Sequence, residues 1–159
     1  MLRFLTCGES HGPKLIATLD GFPAGLELNV DKLNAELARR QKGYGRGSRQ
    51  KIEEDKIEFI GGVRHGITTG APVGVEIKNK DWENWQIVMS QNPVNLEDPE
   101  VILALDKKLI KHFRPGHADL AGTIKYGHED IRNVLERASA RETAARVAVG
   151  SIARQLHGR

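Results

Sequence analysis

Two histidines sit in turns built from glycine and proline: His11 in Gly8-Glu9-Ser10-His11-Gly12, and His117 in Arg114-Pro115-Gly116-His117. Imidazole changes charge near neutral pH, so either ring can give or take a proton. Glycines on both sides of His11 let the backbone approach a ligand and predict an uncrowded ring. A third feature is the basic run over residues 39–51, with Arg39, Arg40, Lys42, Arg46, Arg49 and Lys51 and no acid. Arginine predominates there, and its planar fork suits carboxylates and phosphates. The interleaved glycines add backbone N–H groups that can meet the same anion.

A fourth feature is Arg137-Ala138-Ser139-Ala140-Arg141-Glu142. Ser139-x-x-Glu142 has the capping-box form, which predicts a helix start whose unpaired N–H groups and dipole favour an anion. Arg137 and Arg141 bracket that start, and the small Ala138 and Ala140 leave room for a flat ligand. The blander reading of each feature is a solvated loop or an ordinary capped helix. Gly8-Glu9-Ser10-His11-Gly12 also fits G-x-S-x-G, but a nucleophile elbow needs a helix after the turn. Pro13 and Lys14 lead instead into Leu-Ile-Ala-Thr-Leu, a strand pattern. That disfavours a serine hydrolase.

The elements that must position these residues follow from periodicity. Residues 2–6 and 15–19 read as strands. Val30, Leu33, Leu37 and Ala38 fall at helical spacing behind Asn29 or Asp31, and the helix stops near Gln41 before a glycine-rich stretch. Residues 57–63 and 73–77 predict an antiparallel hairpin. Residues 81–85 read as loop. Asp98-Pro99 starts a helix whose apolar face is Val101, Ile102, Leu105, Leu109 and Ile110, ended by Pro115. In the last third, Ile131, Leu135, Ala138, Ala145, Val149, Ile152 and Leu156 keep helical spacing, broken at Glu142. Two helical pieces result, the second starting at Ser139.

The 159 residues suit one domain with one sizeable core, and 39% hydrophobic with 28% charged residues is a soluble composition. A net charge of +3 argues against a general nucleic-acid binder, and Tyr44 alone is too little stacking surface within the basic run. The single cysteine, Cys7, precludes an intramolecular disulfide and points to a reducing compartment. No signal-peptide pattern or membrane span is expected, so the expected location is the cytoplasm. One cysteine and histidines split by Pro115 offer no metal-site spacing.

Taken together these segments resemble chorismate synthase. The resemblance runs from Arg3-Phe4-Leu5-Thr6 through the His11 turn and Arg39-Arg40-Gln41-x-Gly43-Tyr44-Gly45-Arg46-Gly47. It continues through Arg114-Pro115-Gly116-His117-Ala118-Asp119 to the stretch from Glu136 to Val147, in family order. It implies the anti-1,4-elimination of phosphate from 5-enolpyruvylshikimate 3-phosphate to give chorismate, dependent on reduced FMN though redox-neutral overall. His11 matches the histidine that protonates the leaving phosphate, and His117 the histidine at the flavin. Arg40, Arg46, Arg114 and Arg141 match substrate contacts. Arg137, Ala138 and Ser139 match a flavin-contact segment, with Arg49 as additional positive charge. NADPH is a possible flavin reductant in the family, with Arg40 and Arg46 as its contacts.

The implied fold is α+β, about half of the family's β-α-β sandwich, in which antiparallel sheet packs against helices. Family members run to more than twice this length and are typically homotetramers. The chain is therefore expected to form one partial domain over residues 1–159, to leave an apolar helix face exposed, and to be inactive alone. The alternative is a non-catalytic module that binds flavin or another anion.

Overall fold

In a computed structural model, residues 1–42 and 54–157 are described. The chain builds β1 (Arg3–Cys7), β2 (Lys14–Asp20), α1 (Val30–Gln41), β3 (Ile57–Gly61), β4 (Val63–Arg64), β5 (Ile67–Thr68) and β6 (Val73–Lys78). A 3₁₀ turn over Lys80–Asn84 follows, then α2 (Pro99–Lys108), α3 (Asp119–Tyr126), α4 (Arg132–Arg137) and α5 (Glu142–His157). The fold class is α+β, as predicted.

Strand alternation decides which face is covered. Leu15, Ala17 and Leu19 of β2 and Val73, Val75 and Ile77 of β6 point to one side and are buried. The four-stranded sheet has the order β1-β2-β6-β3, with antiparallel neighbours throughout. Leu15 opposes Ile77, Ala17 opposes Val75 and Leu19 opposes Val73. Leu33 and Leu37 of α1 and Ala144, Ala145, Ala148, Val149 and Ile152 of α5 close this layer from above. Each fully buried Leu, Ile or Val contributes roughly 1.5–3 kcal/mol by leaving water.

Asn29 caps α1, accepting from the Lys32 N–H at 2.9 Å, and Asp98 caps α2, accepting from the Glu100 N–H at 2.9 Å. The predicted hairpin forms between β3 and β6, with a bulge between Phe59 and Gly61 and the small β4–β5 pair in its connection. The stretch read as loop at 81–85 winds into the 3₁₀ turn, and α3, invisible to periodicity, is a helix. α2 stops at Lys108, seven residues short of Pro115, and none of its residues is buried. Its Ile102 and Leu103, with Leu109, Phe113, Leu120 and Ile124 nearby in the chain, remain exposed. No helix among the described residues is long and apolar enough to cross a membrane.

The break between α4 and α5 is real, but α5 begins at Glu142 rather than at Ser139. Ser139 Oγ accepts from the Arg141 N–H at 3.2 Å. The reciprocal half of the capping box is not made, because the Glu142 carboxylate turns to Thr6 and Arg137.

Candidate active site

His11 occupies the turn between β1 and β2. Gly8 there has φ +97°, and a Cβ would lie 2.4 Å from the Lys14 carbonyl oxygen, so only glycine fits. β2 follows this turn with no helix, which removes the nucleophile-elbow reading of Ser10. Ser10 is buried, and its N–H donates to the Glu136 carbonyl at 3.0 Å, pinning the turn to α4.

The same α4 residue holds the histidine. Glu136 Oε1 and Oε2 lie 2.9 and 2.7 Å from His11 Nδ1, and Oε2 accepts the His11 backbone N–H at 2.9 Å. Arg132, one helical turn earlier, donates to Glu136 Oε1 at 2.7 Å. Burial raises the pKa of the enclosed Glu136 carboxyl. Hydrogen bonds and charge from His11, with the Arg132 charge, outweigh that and leave it below the ordinary glutamate value.

The His11 ring is not uncrowded as its flanking glycines suggested. It stacks on Trp85 with centroids 3.8 Å apart and planes 26° apart. Trp85 Nε1–H donates to Asp81 Oδ2 at 2.9 Å, and Lys108 Nζ sits 3.9 Å from the indole centroid. Asp81 Oδ2 is 4.0 Å from His11 Nε2, beyond hydrogen-bond reach. The histidine thus has one nitrogen held by a buried carboxylate and the other facing Asp81 beyond hydrogen-bond distance.

His117 repeats the pattern on a smaller scale. Its Nδ1 contacts the Asp119 carboxylate, and Arg114 Nε donates to the same carboxylate at 3.1 Å. The Arg114 backbone N–H also donates to Asp119 at 3.1 Å. The Arg114 hydrogen bonds, working against burial, bring the Asp119 carboxyl down to about 2. Asp119 opens α3, and α3 lies tight on α4. A Cβ at Gly122 would come within 2.4 Å of Val134.

The predicted arginines divide by environment. Arg40 and Arg141 converge on the fully buried Asp55: Arg40 Nη1 is 3.2 Å from Oδ2, and Arg141 Nη1 contacts Oδ1. Their side chains are only 8% and 6% exposed. Arg141 Nε also donates to Asn79 Oδ1 at 2.9 Å, while Asn79 Nδ2 donates to the carbonyls of Glu9 and Gly12 at 3.1 and 2.7 Å. Arg141 and Asn79 thereby brace the His11 turn. Arg114, by contrast, keeps a half-exposed side chain.

Arg137 Nη2 donates to Thr6 O and Oγ1 at 2.9 and 2.8 Å, and Nη1 pairs with Glu142 at 2.5 Å. Ala138 and Ser139 form the link between α4 and α5 that follows it. Arg46 and Arg49 lie outside the described residues. Among those described, no group of three His, Cys, Asp or Glu side chains is placed to hold a metal.

Sequence reasoning missed Glu136, Asp119, Trp85, Asp81 and Asp55. Asp119 had a local signal, standing two residues after His117. Asp55 was hidden in the acidic stretch after the basic run, and Glu136 is 125 positions from the ring it holds.

The chorismate synthase family model matches residues 2–158. The chain belongs to the chorismate synthase family. It is 54% identical over 155 residues to the chorismate synthase of Geobacillus thermodenitrificans, covering 98% of this chain and 38% of that protein. It is 56% identical over 156 residues to that of Desulforamulus reducens, again covering 98% of this chain and 38% of the relative. A crystal structure of a chorismate synthase superposes with a TM-score of 0.67 at 43% identity, over 97% of this chain and 33% of that one. The chain thus spans less than two-fifths of the length of these family members and corresponds to their amino-terminal portion.

Proposed function

We propose that this chain is the histidine-bearing portion of a chorismate synthase. The reaction is the anti-1,4-elimination of phosphate from 5-enolpyruvylshikimate 3-phosphate, giving chorismate for aromatic amino-acid biosynthesis. The observation that carries the reading is the arrangement of His11, with Nδ1 tied to a buried carboxylate and Nε2 turned away from it. In a chain of this family, such a ring suits protonation of a departing phosphate. Elimination breaks the carbon–oxygen bond to phosphate and removes a proton from C6, so the phosphate oxygen gains negative charge as it leaves. A proton delivered from His11 Nε2 neutralises part of that charge, and general-acid help is typically worth about 10²–10⁴-fold.

The substrate carries two carboxylates and a phosphate, which calls for several cations. Arg114 offers a half-exposed guanidinium, and Arg46 is assigned with it by family position. Arg40 and Arg141 supply charge from behind, where Asp55 fixes them.

The residues present fit reduced FMN by charge. Arg137, with Ala138 and Ser139, lies on a partly exposed edge, and the half-exposed Arg114 beside His117 offers a second guanidinium to an anionic ring. When bound, the reduced flavin supplies the electron density that makes carbon–oxygen cleavage feasible. Arg49 adds positive charge, and Arg46 is the proposed contact for NADPH where it reduces the flavin, with Arg40 contributing charge from behind. The reading places the protein in the cytoplasm as part of a homotetramer.

The test joins residues 1–159 to the remaining length of the Geobacillus thermodenitrificans relative and supplies reduced FMN and substrate. The fusion should release phosphate and form chorismate, and the chain alone should do neither. Binding of FMN by the fusion without turnover would favour a flavin- or anion-binding module instead. Robust turnover by the chain alone would overturn its dependence on the rest of the family's length.

A further inference from the structure

We propose that Glu136 is the positioning residue for His11: it accepts the Nδ1–H, so that the proton the imidazolium gives to the reacting phosphate is the one on Nε2. This rests on the reading of His11 as the proton donor.

Three features of the geometry point this way. An ionised carboxylate can only accept hydrogen bonds, so an Nδ1 at 2.7 and 2.9 Å from its oxygens must be the donor. Neutral imidazole in water prefers its proton on Nε2, so the site selects the less common tautomer. The ring is also barred from turning over, because Trp85 lies against its face and the His11 backbone N–H is bound to the same Oε2. Asp81 Oδ2 lies 4.0 Å from Nε2, too far to hold it by a hydrogen bond.

An ordinary salt bridge between Arg132 and Glu136 explains less. Arg132 takes only Oε1, whereas His11 draws on both oxygens. Burying a carboxylate with no side-chain exposure brings a desolvation cost that a hydrophobic residue would avoid. What the carboxylate adds is control of one ring. The arrangement follows the logic of a buried carboxylate holding a catalytic histidine in its working tautomer. Arg132 completes it by holding Glu136 in turn and by contacting the Lys108 carbonyl next to Trp85's cation.

The test labels the histidines of the chain with ¹⁵N and reads the ring tautomers by multiple-bond ¹H–¹⁵N spectra at a pH where imidazole is neutral, assigning His11 by its loss in His11→Gln. Wild type should show the Nδ1–H form for His11, and Glu136→Gln should move it to Nε2–H or a mixture. A wild-type Nε2–H form overturns the proposal with no variant needed, as does an unchanged Nδ1–H form in Glu136→Gln.

In the active fusion, Glu136→Gln should lower kcat by about 10²-fold or more, with KM within about twofold, and Glu136→Asp should recover part of the loss. Unchanged kcat in Glu136→Gln, or a loss confined to KM, overturns the proposal. If His11→Ala leaves turnover intact, the proton-donor reading falls whatever tautomer is found, so the two failures are distinguishable.

Discussion

The two histidine sites share a grammar of ring, carboxylate and arginine, but they assemble it differently. At His117 all three parts lie within residues 114–119, one turn and the start of α3. At His11 the carboxylate and arginine come from α4, and the stacked Trp85 follows the 3₁₀ turn. A local cluster is cheap to form, because few residues must be ordered to bring the groups together. A distant one requires the sheet, the turn at Gly8 and α4 to be in place first. The side chains record the contrast: Glu136 has two ring contacts and a backbone contact, whereas His117 leans on a short turn beside a half-exposed Arg114. The His11 site is a product of the whole fold, and the His117 site is largely a product of its own segment.

The sharpest way to break this comparison is His11→Ala in the active fusion. Phosphate release should fall about 10²–10⁴-fold, and unchanged turnover would remove His11 from the chemistry. His117→Ala should cost less, about 10²–10³-fold, as expected for losing one charge-stabilising donor. Should it cost more than His11→Ala, the ranking of the two sites is reversed.

Next comes packing. Trp85→Ala strips the stack from His11 and opens a mostly enclosed site, so unfolding by urea should show a loss of about 3 kcal/mol. His117 has no stacked ring among the described residues, so its removal should leave the urea midpoint near wild type. A comparable midpoint shift from His117→Ala would contradict the contrast in enclosure.

The smallest expected effect is electrostatic. The folded Asp119 carboxyl lies at about 2, below its ordinary 3.8, so its stabilisation is fully present above the ordinary value. It is lost as pH falls from about 4 toward 2. Asp119→Asn should lower Tm by about 2–4 °C at pH 7, with the gap to wild type closing near pH 2. A gap that persists at pH 2 would mean Asp119 acts through shape rather than charge.

Much of the sheet and both long helices were legible. Alternation of Leu15, Ala17 and Leu19 set the buried face of β2, and Asn29 marked the start of α1 because its side chain meets an unpaired N–H. α3 was not legible, since it is only eight residues long, offers no side-chain cap, and its only large apolar pair, Leu120 and Ile124, stays exposed. The apolar stripe of α2 was visible, yet none of the helix's residues is fully buried and Ile102 stays exposed, because periodicity tells which face is greasy and not what covers it. In the candidate site, His11 and His117 stood out through their turns. The part played by Arg40 and Arg141 did not, because pairing with Asp55 spans 15 and 86 positions.

From the sequence alone came the family, the turns that present two histidines and the nearness of Arg114 to His117. Residue type and near-neighbour spacing are enough for features closed within a few residues. Only the tertiary structure decided that Glu136 holds His11, that Trp85 lies on its ring, and that Asp55 ties Arg40 to Arg141. Those partners meet because sheet and helices bury them together, and chain distance carries no record of which buried charges will meet.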